Sequence, residues 1–297
     1  ECFKKKSLHV DNNFSKILKK YKVFYFQAGI KNKNFTYVSK IINFFFKNNI
    51  SRDYFVVSIG GGVVGDISSF AASIYHRGLN LIHMPTSMTS MIDSAIGGKT
   101  GFNHFGVVNL CGTYYHPKAT FIDLRFLKTL SERDYLSGIS EIIKKAIIFD
   151  KDLFNLLKKN RIKILSKDIK SISEILFKSI SIKLIITTSD EKENNQRLLL
   201  NYGHTFGQAI EGYFGINQKL LTHGEAVSLG MVAAGKLSDL KFDLNTLDTN
   251  RNLLKQYKLP TNFSDLKIKK KINLNKLIDN LKNDKKKNNK WNKICYI

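Results

Sequence analysis

Two histidines and one glutamate stand in segments that are otherwise apolar or small. His204 lies in Asn201-Tyr-Gly-His-Thr-Phe-Gly207, His223 in Leu221-Thr-His-Gly-Glu225, and Glu141 in Gly138-Ile-Ser-Glu-Ile-Ile-Lys-Lys145. Both histidines fall near predicted helix starts, beside glycines that admit close approach. A carboxylate on a helix as apolar as that of Glu141 must find a partner, because burying it alone is costly. Together the three make a donor set that leaves coordination positions open to substrate, as catalytic zinc sites do. Helix capping by the histidines and a salt bridge for Glu141 are the alternative, and spacing alone does not choose.

Cationic residues occur in the same segments. Lys99 closes Gly97-Gly-Lys-Thr100, Lys144 follows Glu141 on one helix face, and Lys183 and Arg197 precede His204. Converging on a metal, such cations would suit a small substrate with phosphate and carboxylate groups. Solvated surface lysines are the other reading in so basic a chain. Gly97-Gly-Lys-Thr100 lacks the first glycine of a Walker loop at the required spacing, which excludes that NTPase motif.

The run Ile59-Gly-Gly-Gly-Val-Val-Gly-Asp66 is a second candidate. An aliphatic strand from Tyr54 to Ile59 meets Gly60, Gly61 and Gly62, then opens into a small-residue helix through Phe70, Ala71, Ala72 and Ile74. Such a corner presents backbone N–H groups at the positive end of a helix dipole, suited to a phosphate or pyrophosphate. Close packing is the other use of glycines there.

These residues must be positioned by the elements around them. A strand over Leu8–Val10, a brief helix near Phe14–Lys20 and a strand over Lys22–Phe26 are expected first. A helical period runs from Phe35 to Lys47 through Val38, Ile41, Ile42 and Phe45. The strand before the glycines, its helix, a buried strand at Leu79–Met84 and a last strand at Thr120–Asp123 complete a βαβα alternation. That order implies a mostly parallel sheet with helices on both faces. From about Phe126 the pattern is helical: Gly138–Phe149, Asp168–Thr188, His204–Gly212 and His223–Leu240, with loops at Asn194–Asn195 and Gly215–Lys219. The fold class is therefore α/β, a Rossmann-like domain over residues 1–128 followed by an all-helical domain over 129–297. The Lys/Asn-rich tail after Pro260 is poorly informative.

The 297 residues are 43% hydrophobic, enough for a substantial core. No apolar run reaches membrane-spanning length, so a soluble protein with no membrane partner is expected. Cys2, Cys111 and Cys295 lack metal or redox spacing and suit a reducing, cytoplasmic compartment. The start has no Met and no secretory apolar core, and is read as that of a fragment or a processed product. The formal charge is +24, yet only seven of the 48 basic residues are Arg. Lys accompanies Asn, Ile and Phe, whose AT-rich codons make mutational bias a sufficient cause. No nucleic-acid partner is expected; the positive field would attract anionic metabolites.

Taken in order, Gly60-Gly-Gly-Val-Val-Gly-Asp66, Pro85-Thr-Ser87, Asp93-Ser94, Gly97-Gly-Lys-Thr100 and Asn103-His104 resemble the 3-dehydroquinate synthase family. Phe126-Leu-Lys-Thr-Leu130, Gly138-Ile-Ser-Glu-Ile-Ile-Lys144, Asp190-Glu191, Arg197, Asn201-Tyr-Gly-His-Thr-Phe-Gly207 and His223-Gly-Glu-Ala-Val227 continue the likeness near the family's spacing. It is strong from Asp53 to Ala234, weaker from Leu8 to Arg52 and faint beyond.

The resemblance implies a homodimeric lyase of the shikimate pathway, and so of aromatic amino-acid biosynthesis. It would convert 3-deoxy-D-arabino-heptulosonate 7-phosphate into 3-dehydroquinate and phosphate with bound NAD and a divalent metal, zinc or cobalt. By that likeness Glu141, His204 and His223 would be the metal ligands. Gly62, Val63, Val64, Gly65, Asp66, Thr86, Ser87 and Lys99, with Phe126, Leu127, Lys128 and Thr129, would line the NAD site. Gly29 and Lys33 match a family segment Gly-Glu-x-x-Lys, and Asp11 or Asn12 would be a remnant of its acidic ribose-binding turn. Asp93, Lys99, Asn109, Lys144, Lys183, Arg197 and Asn201 would surround the sugar phosphate, and Arg77 would reach across the dimer.

The chain departs from the family at several positions. Ile30 stands for Glu, Val108 for the Lys before Asn109, and Gln208 for the second His of Gly-His-Thr-x-Gly-His; Ser87 for Thr is mild. Both termini read as shortened, and Lys285 or Lys286 would match a substrate-binding lysine. Three rivals stay open: a cyclase for another heptulose phosphate, an NAD- and metal-dependent polyol dehydrogenase, and a degraded non-catalytic homologue.

Overall fold

A computed structural model describes residues 16–282, apart from 17, 28, 106, 216–219, 267 and 269–271. The expectations at Leu8–Val10, Asp11, Asn12, Cys2, Cys295, Lys285 and Lys286 lie outside the described residues, as do parts of Phe14–Lys20 and Gly215–Lys219. The chain divides into two compact units, Glu1–Thr129 and Leu130–Ile297.

In the first unit, Asn34 caps helix α1 (Phe35–Lys47) by accepting a hydrogen bond from the Tyr37 amide. The helix buries Tyr37, Val38, Ile41 and Phe45 as one stripe, in a core shared with Ile67, Ala71, Leu79 and Leu81. Strand β1 (Phe55–Gly60) leads through helix α2 (Gly62–Ile74) into the parallel strand β2 (Asn80–Pro85). Their register pairs Phe55 with Asn80 and Gly60 with Pro85. An antiparallel hairpin, β3 (Phe102–His104) and β4 (Val107–Cys111), follows. Strand β5 (Ala119–Thr120) then joins β2 in parallel, giving the order β1–β2–β5.

One sequence expectation needs correction here, and one pair of strands was missed. Lys22–Phe26 belongs to no strand among the described residues. Phe24 and Phe26 pack against the core while Tyr25 is exposed, so the alternation reflects packing without a ladder. The hairpin was not foreseen, because its strands are short and polar at Asn103 and Asn109.

The second unit is helical, with no strand among its described residues. Helices α3 (Glu132–Phe149), α4 (Lys151–Lys159), α5 (Arg161–Leu165), α6 (Ile169–Ser189), α7 (His204–Tyr213), α8 (His223–Phe242), α9 (Thr246–Gln256) and α10 (Leu274–Lys282) follow in order. Ser131, Asp150, Asp168 and Thr222 each cap one by accepting a backbone N–H, which fixes where α3, α4, α6 and α8 begin. Helix α10 lies in the tail that the sequence left poorly informative. Its Lys and Asn content hides Leu274, Leu277, Ile278 and Leu281 at helical spacing, and Leu277 packs against Ile210, Leu221 and Leu229.

Candidate metal centre and its surroundings

Glu141 sits mid-way along α3 with no solvent exposure. Its Oε2 accepts a hydrogen bond from Lys144 Nζ at 2.5 Å, one turn along the same helix. Its Oε1 has no hydrogen-bond partner, although it is buried. That oxygen lies 3.5 Å from His204 Nε2 and 3.6 Å from His223 Nε2.

The histidines are brought there by the starts of α7 and α8, where each is the first helical residue. Neither caps its helix. Thr222 caps α8 in a capping box with Glu225, and Gly203 precedes α7 with no side-chain cap. Gly203 is left-handed (φ 76°), and a Cβ on it would come within 2.9 Å of the Met231 amide nitrogen. A glycine is required on both counts, and the close approach of α7 to α8 sets the two imidazole centroids 5.3 Å apart.

The second nitrogen of each ring has its own acceptor. His204 Nδ1 lies 3.3 Å from the Tyr202 carbonyl oxygen, and His223 Nδ1 lies 3.1 Å from Glu211 Oε1. With protons on Nδ1, both rings turn an Nε2 lone pair toward the orphaned carboxylate oxygen. Three lone pairs facing one another are repulsive unless a cation lies among them. The donor atoms all lie within 4.8 Å of one another. In a tetrahedral site with bonds of about 2.0–2.1 Å, neighbouring donors stand roughly 3.3 Å apart, close to the 3.5 and 3.6 Å that separate Glu141 Oε1 from the two imidazoles. The residues fit a divalent ion.

The electrostatics call for positive charge among these donors, which a proton supplies when no ion is bound. Burial works most strongly against an ionised Glu141, yet the Lys144 ammonium with His204 and His223 holds its carboxyl well below the usual range. Burial likewise disfavours the His223 imidazolium, but Glu211 and Glu141 raise its pKa well above the ordinary histidine value. A proton and a metal ion therefore compete for the same nitrogen.

Of the other expected residues of this unit, Lys144, Lys183 and Arg197 are buried and Asn201 is half-buried. Lys144, Lys183 and Arg197 are each at most 6% exposed, which removes the solvated-lysine alternative for them. Arg197 donates from Nη1 to the Glu191 carbonyl, and its amide donates to Asp190. Asn201 donates to Glu193. Lys145, which the sequence reading passed over, is also buried and donates to Ser179 Oγ at 3.0 Å. Glu211 was missed too, although it follows His204 by two helical turns on one face of α7.

In the first unit the glycine corner is built as expected, for a different local reason. None of Gly60, Gly61 and Gly62 has positive φ. A Cβ on Gly60 would meet the Val64 side chain at 2.6–2.9 Å, so lack of space selects glycine there. The N-cap Gly61 supplies no side chain to the first amides of α2, over Gly62, Val63 and Val64, which suits an anion. Gly65 and Asp66 follow, and Asp66 pairs with Lys33, whose Nζ also reaches Asn109 Oδ1. Residues read as cofactor-side and substrate-side thus share one cluster.

The remaining candidates are placed as follows. The Thr86 amide donates to the Gly60 carbonyl, and Ser87 Oγ shares a hydrogen bond with Ser90. Gly29 is an exposed turn residue with φ 118°. Asp93 is half-buried in a π-helical turn (Ser90–Ser94), and Lys99 is exposed. Leu127 is buried, Phe126 half-buried, and Lys128 and Thr129 exposed.

Two family profiles together span most of the chain. One, described as 3-dehydroquinate synthase N-terminal, matches residues 23–137, and the other, 3-dehydroquinate synthase C-terminal, matches residues 138–287. The chain belongs to the 3-dehydroquinate synthase family. A 3-dehydroquinate synthase from Prochlorococcus marinus (strain MIT 9515) is 43% identical over 258 residues, covering 84% of this chain and 70% of that protein. The chain spans between 60% and 74% of the length of the curated relatives compared with it.

Solved structures give the same family resemblance at lower identity. A 2-epi-5-epi-valiolone synthase from Streptomyces hygroscopicus subsp. jinggangensis 5008, with NAD+ and Zn2+ bound, aligns with TM-score 0.78 and 27% identity, over 86% of this chain and 70% of that one. A 2-deoxy-scyllo-inosose synthase complexed with carbaglucose-6-phosphate, NAD+ and Co2+ aligns with TM-score 0.76 and 27% identity, over 89% and 70% of the two chains. The α/β unit followed by a helical unit is thus the architecture of the sugar-phosphate cyclases.

Proposed function

We propose that this chain catalyses the 3-dehydroquinate synthase reaction, a carbon–oxygen lyase step. It turns 3-deoxy-D-arabino-heptulosonate 7-phosphate into 3-dehydroquinate and inorganic phosphate. The observation that carries the reading is the buried, unpartnered Glu141 Oε1 facing His204 Nε2 and His223 Nε2, in a chain matched along both halves by one enzyme family.

Glu141, His204 and His223 would hold a divalent ion, zinc or cobalt, and the corner from Gly62 to Asp66 would hold the pyrophosphate of NAD. When bound, the ion supplies Lewis acidity toward a substrate hydroxyl, and NAD a hydride acceptor regenerated within the cycle. Lys144 neutralises Oε2 of Glu141, so the carboxylate stays anionic in a buried setting. The Nδ1 contacts of His204 and His223 fix their tautomers and ring angles. Lys183 and Arg197, both buried, supply positive charge suited to a phosphate or carboxylate. Orientation of the substrate by such groups would supply much of the rate enhancement.

A cytoplasmic homodimer belongs to the same proposal, with Arg77, exposed at the end of the Tyr75–Arg77 turn, offered to the second copy. Among the described residues no helix is long and apolar enough to cross a membrane. The test is direct. With the heptulosonate phosphate, NAD and Zn2+, the protein should release inorganic phosphate with no lasting NADH absorbance. NADH accumulating with polyols would instead indicate a dehydrogenase, and phosphate released only from another sugar phosphate would indicate a sister cyclase.

A further inference from the structure

The two imidazoles of the metal centre are held differently. His204 offers Nδ1 to a neutral acceptor, the Tyr202 carbonyl oxygen at 3.3 Å. His223 is strung between two carboxylates: Nδ1 lies 3.1 Å from Glu211 Oε1, and Nε2 lies 3.6 Å from Glu141 Oε1. Only the first of these is within hydrogen-bond reach. Glu211 comes from the last turn of α7, the helix that begins with His204, so one helix supplies a donor atom and the group that aims the other.

We propose that Glu211 is a positioning residue for the metal centre, holding the His223 proton on Nδ1 so that Nε2 faces Glu141 as a lone-pair donor. The inference rests on the metal reading above. An imidazole ring turned by half a revolution about Cβ–Cγ would put carbons Cδ2 and Cε1 where Nδ1 and Nε2 now stand. The Glu211 carboxylate, with its side chain 20% exposed, favours one of the two orientations. A carboxylate behind a ligating imidazole also makes the facing nitrogen a stronger donor than a carbonyl does. His223 is therefore the stronger of the two nitrogen donors, although its side chain, at 33% exposure, is less enclosed than His204 at 11%.

The test uses the full chain stripped of metal by a chelator and titrated with Co2+, read by visible absorption and by chelator competition. The wild type should bind one ion per chain. Glu211→Ala should weaken binding by about 10- to 100-fold, and Glu211→Gln, which keeps an acceptor at the same reach, should recover part of the loss. In Zn2+-loaded protein, histidine 15N resonances should show His223 bound through Nε2 with a proton on Nδ1. Glu211→Ala should mix the two forms. Far-UV circular dichroism reports folding, and the near-isosteric Gln variant keeps the test valid should the Ala variant fail to fold.

Single-site Co2+ binding in the wild type with affinity unchanged in both Glu211 variants overturns the inference and leaves the metal reading standing. A wild type that binds no ion, or full binding by Glu141→Ala, overturns the metal reading and this inference with it.

Discussion

The Arg133 guanidinium grips Glu225 with two parallel hydrogen bonds, Nε to Oε1 at 2.8 Å and Nη2 to Oε2 at 2.6 Å. The same Nη2 donates to the Leu220 carbonyl at 2.9 Å, and Glu225 Oε2 accepts the Thr222 amide at 2.8 Å. The first turn of α3, which carries Glu141 further along, is thereby tied to the start of α8, which carries His223. Arg133 is half exposed, so solvent screening limits the pair to about 1 kcal/mol or less. A double-mutant cycle of Arg133→Met and Glu225→Gln, read by urea unfolding, should give a coupling of roughly 0.5–1 kcal/mol that shrinks in high salt. A coupling of zero would mean that packing alone aligns the two helices.

Removing Glu141 should have two separable effects. Glu141→Ala strands the buried Lys144 ammonium, and breaking such a pair costs about 3–5 kcal/mol. The second change in Glu141→Ala/Lys144→Met removes the stranded charge and should restore much of the stability without restoring metal binding. Chemical denaturation and metal analysis of both variants check this. Stoichiometric zinc in the double variant would show that the carboxylate is not a ligand.

Gly224 leaves no room for a side chain. A Cβ there would lie 2.1 Å from the Ser137 carbonyl oxygen and 2.4 Å from its Cα, both backbone atoms that cannot swing away. Gly224→Ala should therefore force α8 off α3, lowering stability by about 1–3 kcal/mol or more. Because His223 is the preceding residue, ion affinity should fall as well. Thermal melting and Co2+ titration would show both losses; a variant as stable as the wild type would mean the helices can shift freely.

His83, in the first unit, gives a pH signature of its own. Its ring is buried in β2 with Nε2 3.1 Å from Ser69 Oγ, and burial lowers its pKa from 6.5 to about 4. Above pH 6.5 the imidazole is neutral whether the chain is folded or not. Between 6.5 and about 4 the unfolded chain takes up a proton that the folded one does not, so stability falls with pH. The accumulated loss is about 3 kcal/mol at roughly 1.4 kcal/mol per unit. Urea midpoints should decline over this window in the wild type and decline less in His83→Gln; equal slopes would remove His83 as the cause.

Much of the candidate metal centre was legible because its candidate ligands sit at signalled places. His204 and His223 follow glycine- and threonine-marked helix starts, and Glu141 is a charge in an apolar helical period. The α1 helix, with its stripe from Val38 to Phe45, matched its expected bounds of Phe35 and Lys47. What stayed hidden depends on tertiary partners. Glu211 gains meaning only once α7 lies beside α8, since nothing near it in sequence points to His223. Lys22–Phe26 has the composition of a strand, but composition cannot say whether a neighbouring strand is there to receive it. Helix α10 was masked by Lys and Asn, whose abundance in this chain carries little local information.

All three candidate donors, Glu141, His204 and His223, belong to the stretch after Leu130, while the glycine corner belongs to the stretch before it. A piece of the chain beginning at Leu130 would therefore carry every candidate donor for the ion and none of the glycine corner.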